Sequence, residues 1–250
     1  MIKFKKAERK NLKVKLALAG PAGSGKTYSS LLVAHHLTDP AQPKVAVIDT
    51  EHGSSQKYVG VKHDAITWDF IVGVADQDQS PDEIRQTLMR IQDRVDVVII
   101  DSLSAAWEGN NGVLEQAQRK QEFTKNNFAA WAEPKAANKK LFDAIIAAPC
   151  HVICTLRAKT AYEIVETETG KKKPQRIGLS PIQDEKFEYV FDVFVMMNKD
   201  NSFSVEKTRC ESLNRMTGGK ITKENFVDHL LEWINKEEEE NEEKEESENE

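Results

Sequence analysis

The chain has 250 residues, in which 41 Asp and Glu outweigh 35 Lys and Arg to give a formal net charge of −6. It contains no run of about 18 apolar residues, so we expect no membrane partner, and its first residues lack the apolar stretch of a secretory signal. The three cysteines are few, and their number is odd, so they do not suit a disulfide framework. This indicates a reducing cytoplasm.

The charge is unevenly distributed along the chain. Residues 237–250 hold ten Glu and one Lys, a net charge of −9, so the remaining 236 residues carry +3. Because this segment has no apolar side chain to bury and its charges repel one another, the sequence predicts a disordered acidic tail. Two roles remain open for the tail: solubility, or competition with a polyanion for the basic surface of the body.

The first predicted elements enclose a phosphate-binding loop. Residues 14–19 read as a buried strand, and residues 28–37 have the apolar spacing of a helix. Between them lies the pattern G-x-x-x-x-G-K-[ST], whose glycines let backbone N–H groups converge on an anion at a helix N-terminus. Lys26 is predicted to reach the β- and γ-phosphates, and Thr27 to bind Mg²⁺. The predicted nucleotide site comprises Gly20, Pro21, Ala22, Gly23, Ser24, Gly25, Lys26, Thr27 and Tyr28.

The middle of the chain alternates between strands and helices. We predict strands over residues 45–49 and 65–72, then a helix that a capping box opens at Ser80 and that ends near Arg94. A strand over residues 95–101 follows. Beyond the polar residues 108–112 we predict helical structure through about Ala148, interrupted at Pro134.

The last third of the chain completes the predicted fold. It contains a strand over residues 151–156, a long polar loop over 158–184, a hairpin with strands over 190–197 and 202–209, and an amphipathic helix over 226–234. The alternation predicts an α/β fold: a P-loop NTPase core with a mostly parallel sheet and helices on both faces, plus a C-terminal β-hairpin and helix. The predicted organisation is a basic segment 1–12, an ATPase domain 13–236 and the tail 237–250.

Two acidic residues near strand ends complete the predicted site. Asp101 ends a Val- and Ile-rich strand, which suits a carboxylate that holds the shell of Mg²⁺. The next residue is Ser102, so the carboxylate that orients or deprotonates an attacking water has to come from elsewhere. Glu51 can supply it, because neighbouring parallel strands bring their C-terminal ends to the same edge of a sheet. The alternative for Glu51 is a solvated loop carboxylate.

Three segments resemble core motifs of the RecA-like ATPases, in the order of that family: residues 48–52 (IDTEH), 100–102 (IDS) and 156–159 (LRAK). The resemblance implies Mg²⁺-dependent ATP hydrolysis, with Glu51 as the catalytic carboxylate. It implies that Thr155 is a sensor linking the γ-phosphate to the following loop. It also implies that Tyr58, seven residues beyond Glu51, stacks on adenine.

Four segments are similar to a family of short, phage-encoded RecA-like nucleotide-binding proteins, some of them regarded as single-strand annealing recombinases. They are residues 7–10 (AERK), 101–107 (DSLSAAW), 128–131 (FAAW) and 155–160 (TLRAKT). The similarity implies a homo-oligomer with ATP at the subunit interface that binds single-stranded DNA during recombination in the cytoplasm of a bacterial host. A single-strand-binding protein is a further expected partner.

RecA-like filaments line their DNA channel with two loops, whose counterparts here span about residues 108–125 and 158–184. The second contains four cations that the resemblance places on DNA phosphates; they are Lys171, Lys172, Lys173 and Arg176. A charged, solvated tip is the alternative. Trp107 and Trp131 either stack on bases or pack in the core.

Lys207 and Arg209 lie one residue apart on the second strand of the predicted hairpin, so their side chains are expected to share a face. The resemblance implies that the pair reaches the ATP of the adjacent subunit and acts like an arginine finger. A solvent-facing strand with ordinary cations is the alternative. If the chain assembles, the basic segment 1–12 is available to link neighbouring subunits.

Two other functions remain open. A P-loop kinase for small molecules is disfavoured because the sequence shows no Arg-rich lid between helices, whereas Glu51 with Asp101 and Ser102 suits water activation. A nucleotide-dependent interaction module or helicase accessory would use the acidic tail to recruit a partner.

Overall fold

The structure, a computed structural model, describes residues 4, 12–39, 41–42, 44–63, 66–124, 127–166 and 172–235; for residues 63, 127, 162–166 and 172–177 the description covers the backbone. The strands are β1 Lys15–Gly20, β2 Val45–Asp49, β3 Lys62–His63, β4 Ile66–Thr67, β5 Ile71–Val74, β6 Val97–Asp101, β7 His151–Glu166, β8 Lys172–Pro181, β9 Val193–Met197, β10 Phe203–Thr208 and β11 Thr217–Gly218. The α-helices are α1 Lys26–His36, α2 Pro81–Ile91, α3 Ala105–Glu108, α4 Val113–Phe123, α5 Asn127–Ala147 and α6 Asp228–Asn235. Short 3₁₀ turns span Ser54–Tyr58, Phe187–Val190 and Glu211–Leu213, and a π-helical turn spans Lys223–Val227.

The central sheet has the strand order β11-β10-β9-β1-β7-β6-β2-β5. The strands from β9 to β5 run parallel to their neighbours, whereas β10 and β11 are antiparallel additions at one edge. β8 pairs antiparallel with the part of β7 that extends beyond the sheet. This arrangement confirms the predicted α/β fold class with its mostly parallel sheet.

Both faces of the sheet are covered, as the alternation along β1 illustrates. Leu16 and Leu18 point into a cluster that contains residues of α1 and α6. Ala17 and Ala19 point into a second cluster that contains residues of α2 and α5. Successive side chains of a strand point to opposite faces, so an apolar run without polar positions is what a doubly covered strand requires. Polar side chains that act on a ligand are therefore expected at the C-terminal edge.

The predicted helix after Ser80 and the predicted C-terminal hairpin are both present. The Ser80 hydroxyl accepts a hydrogen bond from the backbone N–H of Glu83 at 3.2 Å and so caps α2. This helix ends at Ile91, one turn earlier than expected. β9 and β10 pair antiparallel around the turn at residues 198–202.

The predicted polar loop over residues 158–184 is wrong. β7 continues to Glu166 and pairs with β8, from Ala158 opposite Pro181 to Glu166 opposite Lys172. We call residues 158–166 and 172–181 the β7–β8 arm. The polar composition suggested a loop, but the two segments satisfy each other's backbone groups without needing a core face. The helical structure predicted beyond residue 112 is confirmed, since α4 occupies Val113–Phe123. The expected counterpart of the first DNA-channel loop, residues 108–125, is therefore mostly helical.

The predicted interruption at Pro134 is wrong as well, because α5 runs through Pro134 from Asn127 to Ala147. A proline inside a helix removes one backbone hydrogen bond and costs about 3 kcal/mol. Packing of α5 against α2 and α4 offsets this cost, with Leu141 and Ile145 fully buried.

The predicted strand over residues 65–72 is instead two short strands, β4 and β5, on either side of Trp68. The Trp68 side chain is buried and meets the ring of Tyr28 edge-on, with 5.8 Å between the ring centroids. Burial of this large side chain against α1 takes the chain out of one continuous strand.

Candidate nucleotide site

The phosphate-binding loop connects β1 to α1 at the C-terminal edge of the sheet. Gly23 and Gly25 have φ angles of 80° and 84°, which side chains other than glycine rarely tolerate. At Gly20 a Cβ would lie 2.6 Å from both the Met197 carbonyl oxygen and Ser24 Oγ, so the strand end has no room for one. The loop therefore has the backbone that the motif predicts.

Lys26 lies at the first position of α1. Its ammonium donates hydrogen bonds to the carbonyl oxygens of Gly20 and Pro21, each at 2.9 Å. Burial lowers the pKa of Lys26, while the nearby charges of Asp101 and Glu51 act in the opposite direction.

Asp101 is the centre of the site. Its carboxylate accepts a hydrogen bond from the Thr27 hydroxyl at 2.7 Å and another from the Thr155 hydroxyl. Burial raises the pKa of this carboxyl, and the two hydroxyl bonds only partly oppose that effect. The structure thus brings together three residues that the sequence assigned to the metal and sensor positions.

Hydrogen bonds between β2 and β6 place Glu51 near Asp101. The backbone N–H of Thr50 donates to the Asp101 carbonyl at 2.8 Å. The Thr50 hydroxyl donates to the Ser102 carbonyl at 3.0 Å and accepts from the Ser102 N–H at 2.8 Å. With the two strand ends tied in this way, the residue after Thr50 has to leave the sheet beside Asp101.

Asp49 shapes the loop that carries Glu51. The buried Asp49 carboxylate accepts hydrogen bonds from the backbone N–H groups of Glu51 at 2.7 Å, Gly53 at 3.1 Å and Ser55 at 2.9 Å. It also accepts one from the Ser55 hydroxyl at 2.5 Å. This role of Asp49 was not predicted, although an aspartate shortly before Gly53 and two serines is a signal for a turn of this kind.

Arg157 is the side chain that holds Glu51, a role that the sequence did not predict. Its Nε lies 2.9 Å from Glu51 Oε1, and its Nη1 lies 3.5 Å from Glu108 Oε1. Arg157 follows Thr155 by two positions on β7, so the two side chains share a face of the strand. The spacing of the two residues in the sequence predicts that they share a face, but it does not predict that the guanidinium pairs with Glu51.

The turn of the β9–β10 hairpin touches the phosphate-binding loop. The side-chain amide of Asn201 donates to the Gly23 carbonyl oxygen at 3.2 Å. Asn201 has a φ of 65°, in the left-handed region that Asn tolerates better than most residues. The hairpin was predicted. The contact between Asn201 and Gly23, which are 178 positions apart in the sequence, was not.

A family model described as an AAA domain matches residues 12–223. The match covers most of the chain and includes every residue of the site described above. The chain belongs to this AAA domain family. None of the curated proteins matches the chain significantly.

An AAA domain is a nucleotide-binding domain of the P-loop ATPase type, and its residues fit a nucleotide with Mg²⁺. The described ranges contain no cluster of three or more His, Cys, Asp or Glu side chains suited to a metal. In phosphate sites, however, Mg²⁺ is held by one or two protein oxygens together with substrate phosphates. The Thr27 hydroxyl and the Asp101 carboxylate, 2.7 Å apart, provide such oxygens.

The sequence predicts that Tyr28 and Tyr58 contact the nucleotide. The Tyr28 ring meets Trp68 edge-on, and the Lys220 ammonium lies 3.9 Å from the centroid of the Tyr28 ring. The Tyr58 ring is partly buried and packs against the core cluster that contains residues of α1. Burial raises the pKa of the Tyr58 phenol, and the charge of Asp101 acts in the same direction. Contact of either ring with a nucleotide stays a prediction.

Lys207 and Arg209 lie away from their own phosphate-binding loop. The Lys207 ammonium donates to the carbonyl oxygens of Glu188 at 2.5 Å and Phe191 at 2.7 Å. Arg209 Nη1 lies 2.5 Å from Asp192 Oδ1. The backbone N–H of Arg209 donates to the Asp192 carbonyl, at the level where β1 begins, roughly 16 Å along the strand from Gly20. Any role at a nucleotide would therefore have to be in a neighbouring subunit.

The residues predicted to bind DNA are described in part. Lys171 lies outside the described residues, as do residues 237–250 and most of the basic segment 1–12. The backbones of Lys172, Lys173 and Arg176 belong to β8 in the β7–β8 arm.

Trp107 and Trp131 are half-buried, with 6.3 Å between their ring centroids. They line a groove of about 540 Å³ together with Phe128, Ala132 and Lys135. Phe128 is 90% exposed, whereas the two tryptophans are half-buried. The three aromatic side chains are therefore neither fully packed in the core nor fully solvated. In the described part of the AAA domain, no helix has the length and apolar character to cross a bilayer.

Proposed function

We propose that this AAA domain hydrolyses ATP and binds single-stranded DNA, and that it acts in phage-type homologous recombination by strand annealing. The observation that carries the proposal is the course of β7. Thr155 on this strand donates to Asp101 in the nucleotide site, and the same strand continues without a break into the β7–β8 arm. A single element thus joins the phosphate site to the segment with the cationic sequence.

The chemistry proposed for the site is attack of water on the γ-phosphorus of ATP. The bond from the γ-phosphorus to the bridging oxygen breaks, ADP leaves with the electron pair, and Glu51 orients the water and accepts its proton. Lys26 neutralises charge on the transferred phosphoryl group. Mg²⁺, held by Thr27 and Asp101, would supply electrostatic stabilisation of the phosphate oxygens.

Single-stranded DNA is the ligand that best suits the surface near the arm. β8 of the arm carries Lys172, Lys173 and Arg176 within five residues, and such a cationic sequence suits contacts with successive phosphates. The groove of Trp107, Phe128 and Trp131 offers aromatic faces on which bases could stack, and Lys135 Nζ lies 5.7 Å from the centroid of the Trp131 ring. Stacking on aromatic faces tolerates any base, which agrees with annealing of arbitrary sequences.

Assembly is the third part of the proposal. Lys207 and Arg209 would act on the ATP of a neighbouring subunit, so hydrolysis would depend on a homo-oligomer with ATP at its interfaces. A single-strand-binding protein would be a further partner on the DNA.

The test is ATP hydrolysis, measured as phosphate release with and without single-stranded DNA, for the native chain and Glu51→Gln. We expect DNA to stimulate the native chain, and the variant to lose about 10²–10⁴-fold in rate, the usual contribution of a positioned acid–base group. Binding of a fluorescent ATP analogue should be retained. Glu232→Gln on α6, which removes the same charge elsewhere, serves as the matched control.

Other outcomes would contradict the proposal in distinct ways. Absence of both stimulation and DNA binding would exclude the recombination role and leave a partner protein as the target of the AAA domain. Transfer of the γ-phosphate to a metabolite instead of water would identify a kinase. Full activity of Glu51→Gln would remove Glu51 from the chemistry.

A further inference from the structure

Arg157 lies where β7 leaves the central sheet and enters the β7–β8 arm. Its backbone is opposite Gly20 of β1, and the next residue, Ala158, is opposite Pro181 of β8. The Arg157 N–H donates to the Ser104 hydroxyl at 2.9 Å, and its carbonyl accepts from the Ile182 N–H at 2.8 Å. The main chain is thus held on both sides at the junction between nucleotide site and arm.

The Arg157 side chain, in contrast, has two possible partners. Its guanidinium is 2.9 Å from Glu51 and 3.5 Å from Glu108, so the two carboxylates share one cation. The side chains of Arg157 and Glu51 are 44% and 33% exposed, which makes this a partly solvated ion pair. Such pairs contribute little net free energy, so the loss of one of two partners costs little. A shift toward Glu108 would leave the guanidinium paired while it releases Glu51.

The contact with Glu51 matters because the charge-assisted hydrogen bond from Arg157 Nε to Glu51 Oε1 fixes the orientation of the carboxylate. A carboxylate held in this way has to break that hydrogen bond before it can turn toward a water. Glu108 belongs to α3, which follows Asp101 and Ser102, and Glu51 belongs to the loop after β2. Arg157 therefore contacts two separate elements of the site from a strand that continues into the arm.

We propose that Arg157 is a positioning residue that couples the β7–β8 arm to Glu51. In the arrangement described here the guanidinium holds Glu51 and slows hydrolysis. When a single-stranded nucleic acid binds the arm, Arg157 moves toward Glu108, and Glu51 becomes free to act on water. This inference rests on the proposed function, in which Glu51 activates the water and the arm binds nucleic acid.

The experiment compares steady-state ATP hydrolysis of the full chain, with and without an oligothymidylate, for the native protein, Arg157→Gln, Arg157→Lys and Glu108→Gln. For Arg157→Gln we expect the rate without DNA to rise at least about 5-fold, the lower end of ordinary coupling between sites. The ratio of the stimulated to the unstimulated rate should fall by the same factor. The KM for ATP should not change, because the guanidinium is not assigned to nucleotide binding.

The conservative and reciprocal variants separate positioning from a structural role. Arg157→Lys keeps one charged donor, so it should restore part of the low rate without DNA. Glu108→Gln removes the alternative partner and should lower the DNA-stimulated rate. A merely structural residue would lower both rates together with the Tm, without a change in their ratio, and that result would overturn the inference.

Glu51→Gln, assayed in parallel, distinguishes failure of the inference from failure of the proposed function. If native hydrolysis does not depend on Glu51, the proposed function fails. If it does depend on Glu51 but Arg157→Gln lowers or preserves the rate without DNA, only the inference fails. If Arg157→Gln is faster but DNA never stimulates the native chain, the coupling to the arm is wrong.

Discussion

At Asp101, two threonine hydroxyls donate to a carboxylate that is almost completely removed from water. The sequence predicts that this residue binds Mg²⁺. In the structure, the burial that this position requires destabilises the ionised carboxylate. Burial raises the pKa of Asp101 above its ordinary value of 3.8, because the charged form is poorly solvated. The charge that would serve the metal is therefore unfavourable for the protein without ligand.

Replacing Asp101 with Asn tests this conflict. Because the folded-state pKa lies above that of the unfolded chain, the native carboxylate destabilises the fold at neutral pH. We expect Asp101→Asn to raise the Tm of the ligand-free protein, by about 2–4 °C for each kcal/mol of desolvation relieved. The Asn amide can still accept from one threonine hydroxyl and donate to the other. Thermal unfolding across pH checks the prediction.

The pH dependence of this difference has a defined sign. The advantage of Asp101→Asn should be largest above the folded-state pKa of Asp101 and should shrink as the pH falls through it. It should vanish near the ordinary carboxyl pKa of 3.8, where the native side chain is also neutral. The same variant should lose the stabilisation that Mg²⁺ with an ATP analogue gives the native protein. A lower Tm for Asp101→Asn at neutral pH would show that its hydroxyl bonds outweigh desolvation.

Among the elements, the β9–β10 hairpin has a role beyond extending the sheet. Its turn lies against the phosphate-binding loop, where a Cβ on Gly25 would be 3.2 Å from the Asn201 amide nitrogen. The Asn201 amide holds the Gly23 carbonyl, and a loop whose carbonyls are held by protein is better prepared to direct its N–H groups at phosphate. The hairpin is thus a support for the nucleotide site.

Two substitutions at Asn201 separate the side-chain contact from the backbone conformation. Asn201→Gly keeps the left-handed φ but removes the bond to Gly23, so we expect ATP-analogue affinity to fall about 2–10-fold, the equivalent of one ordinary hydrogen bond. Asn201→Ala should lose the same affinity and in addition about 1 kcal/mol of stability, because alanine is strained at this φ. Equilibrium binding and thermal unfolding measure the two effects. Native affinity in both variants would show that the contact is incidental.

At the scale of the whole molecule, the sheet topology separates the two predicted sets of catalytic residues. Lys26, Asp101 and Glu51 lie at the C-terminal edge of the parallel strands, and Arg209 lies level with the start of β1. A chain folded in this way cannot bring Arg209 to its own nucleotide. The cationic pair therefore either acts across a subunit interface or braces residues 187–192 of its own chain.

Mixing two inactive variants distinguishes these possibilities. A Lys26→Ala subunit cannot hydrolyse ATP in its own site but still presents Lys207 and Arg209 to its neighbour. A Lys207→Ala/Arg209→Ala subunit has an intact nucleotide site but lacks the two cations. If the pair acts in trans, each variant alone should be nearly inactive, since an arginine finger contributes about 10³–10⁵-fold. An equal mixture should recover about a quarter of the native rate, the share of interfaces that combine an intact site with an intact donor. No recovery, with a lower Tm for the double variant, would assign the pair to the local structure.

Much of this AAA domain could be predicted from sequence because the signals are local. The phosphate-binding loop depends on glycines within eight consecutive residues, and the buried strands of β2 and β6 are unbroken apolar runs that end in aspartate. The capping serine of α2 likewise acts on a residue three positions away. The tail and its competition with DNA stay predictions, since residues 237–250 lie outside the described structure.

Sequence alone therefore determined the α/β fold class, the nucleotide loop and the carboxylates that accompany it. Only the tertiary structure decided which side chains restrain those groups. The pairs Arg157–Glu51 and Asn201–Gly23 join residues 106 and 178 positions apart. The β7–β8 arm and the unbroken helix through Pro134 likewise depend on a partner segment or a packed neighbour. Such contacts follow from strand order and packing, which fix the distance between residues that no local pattern relates.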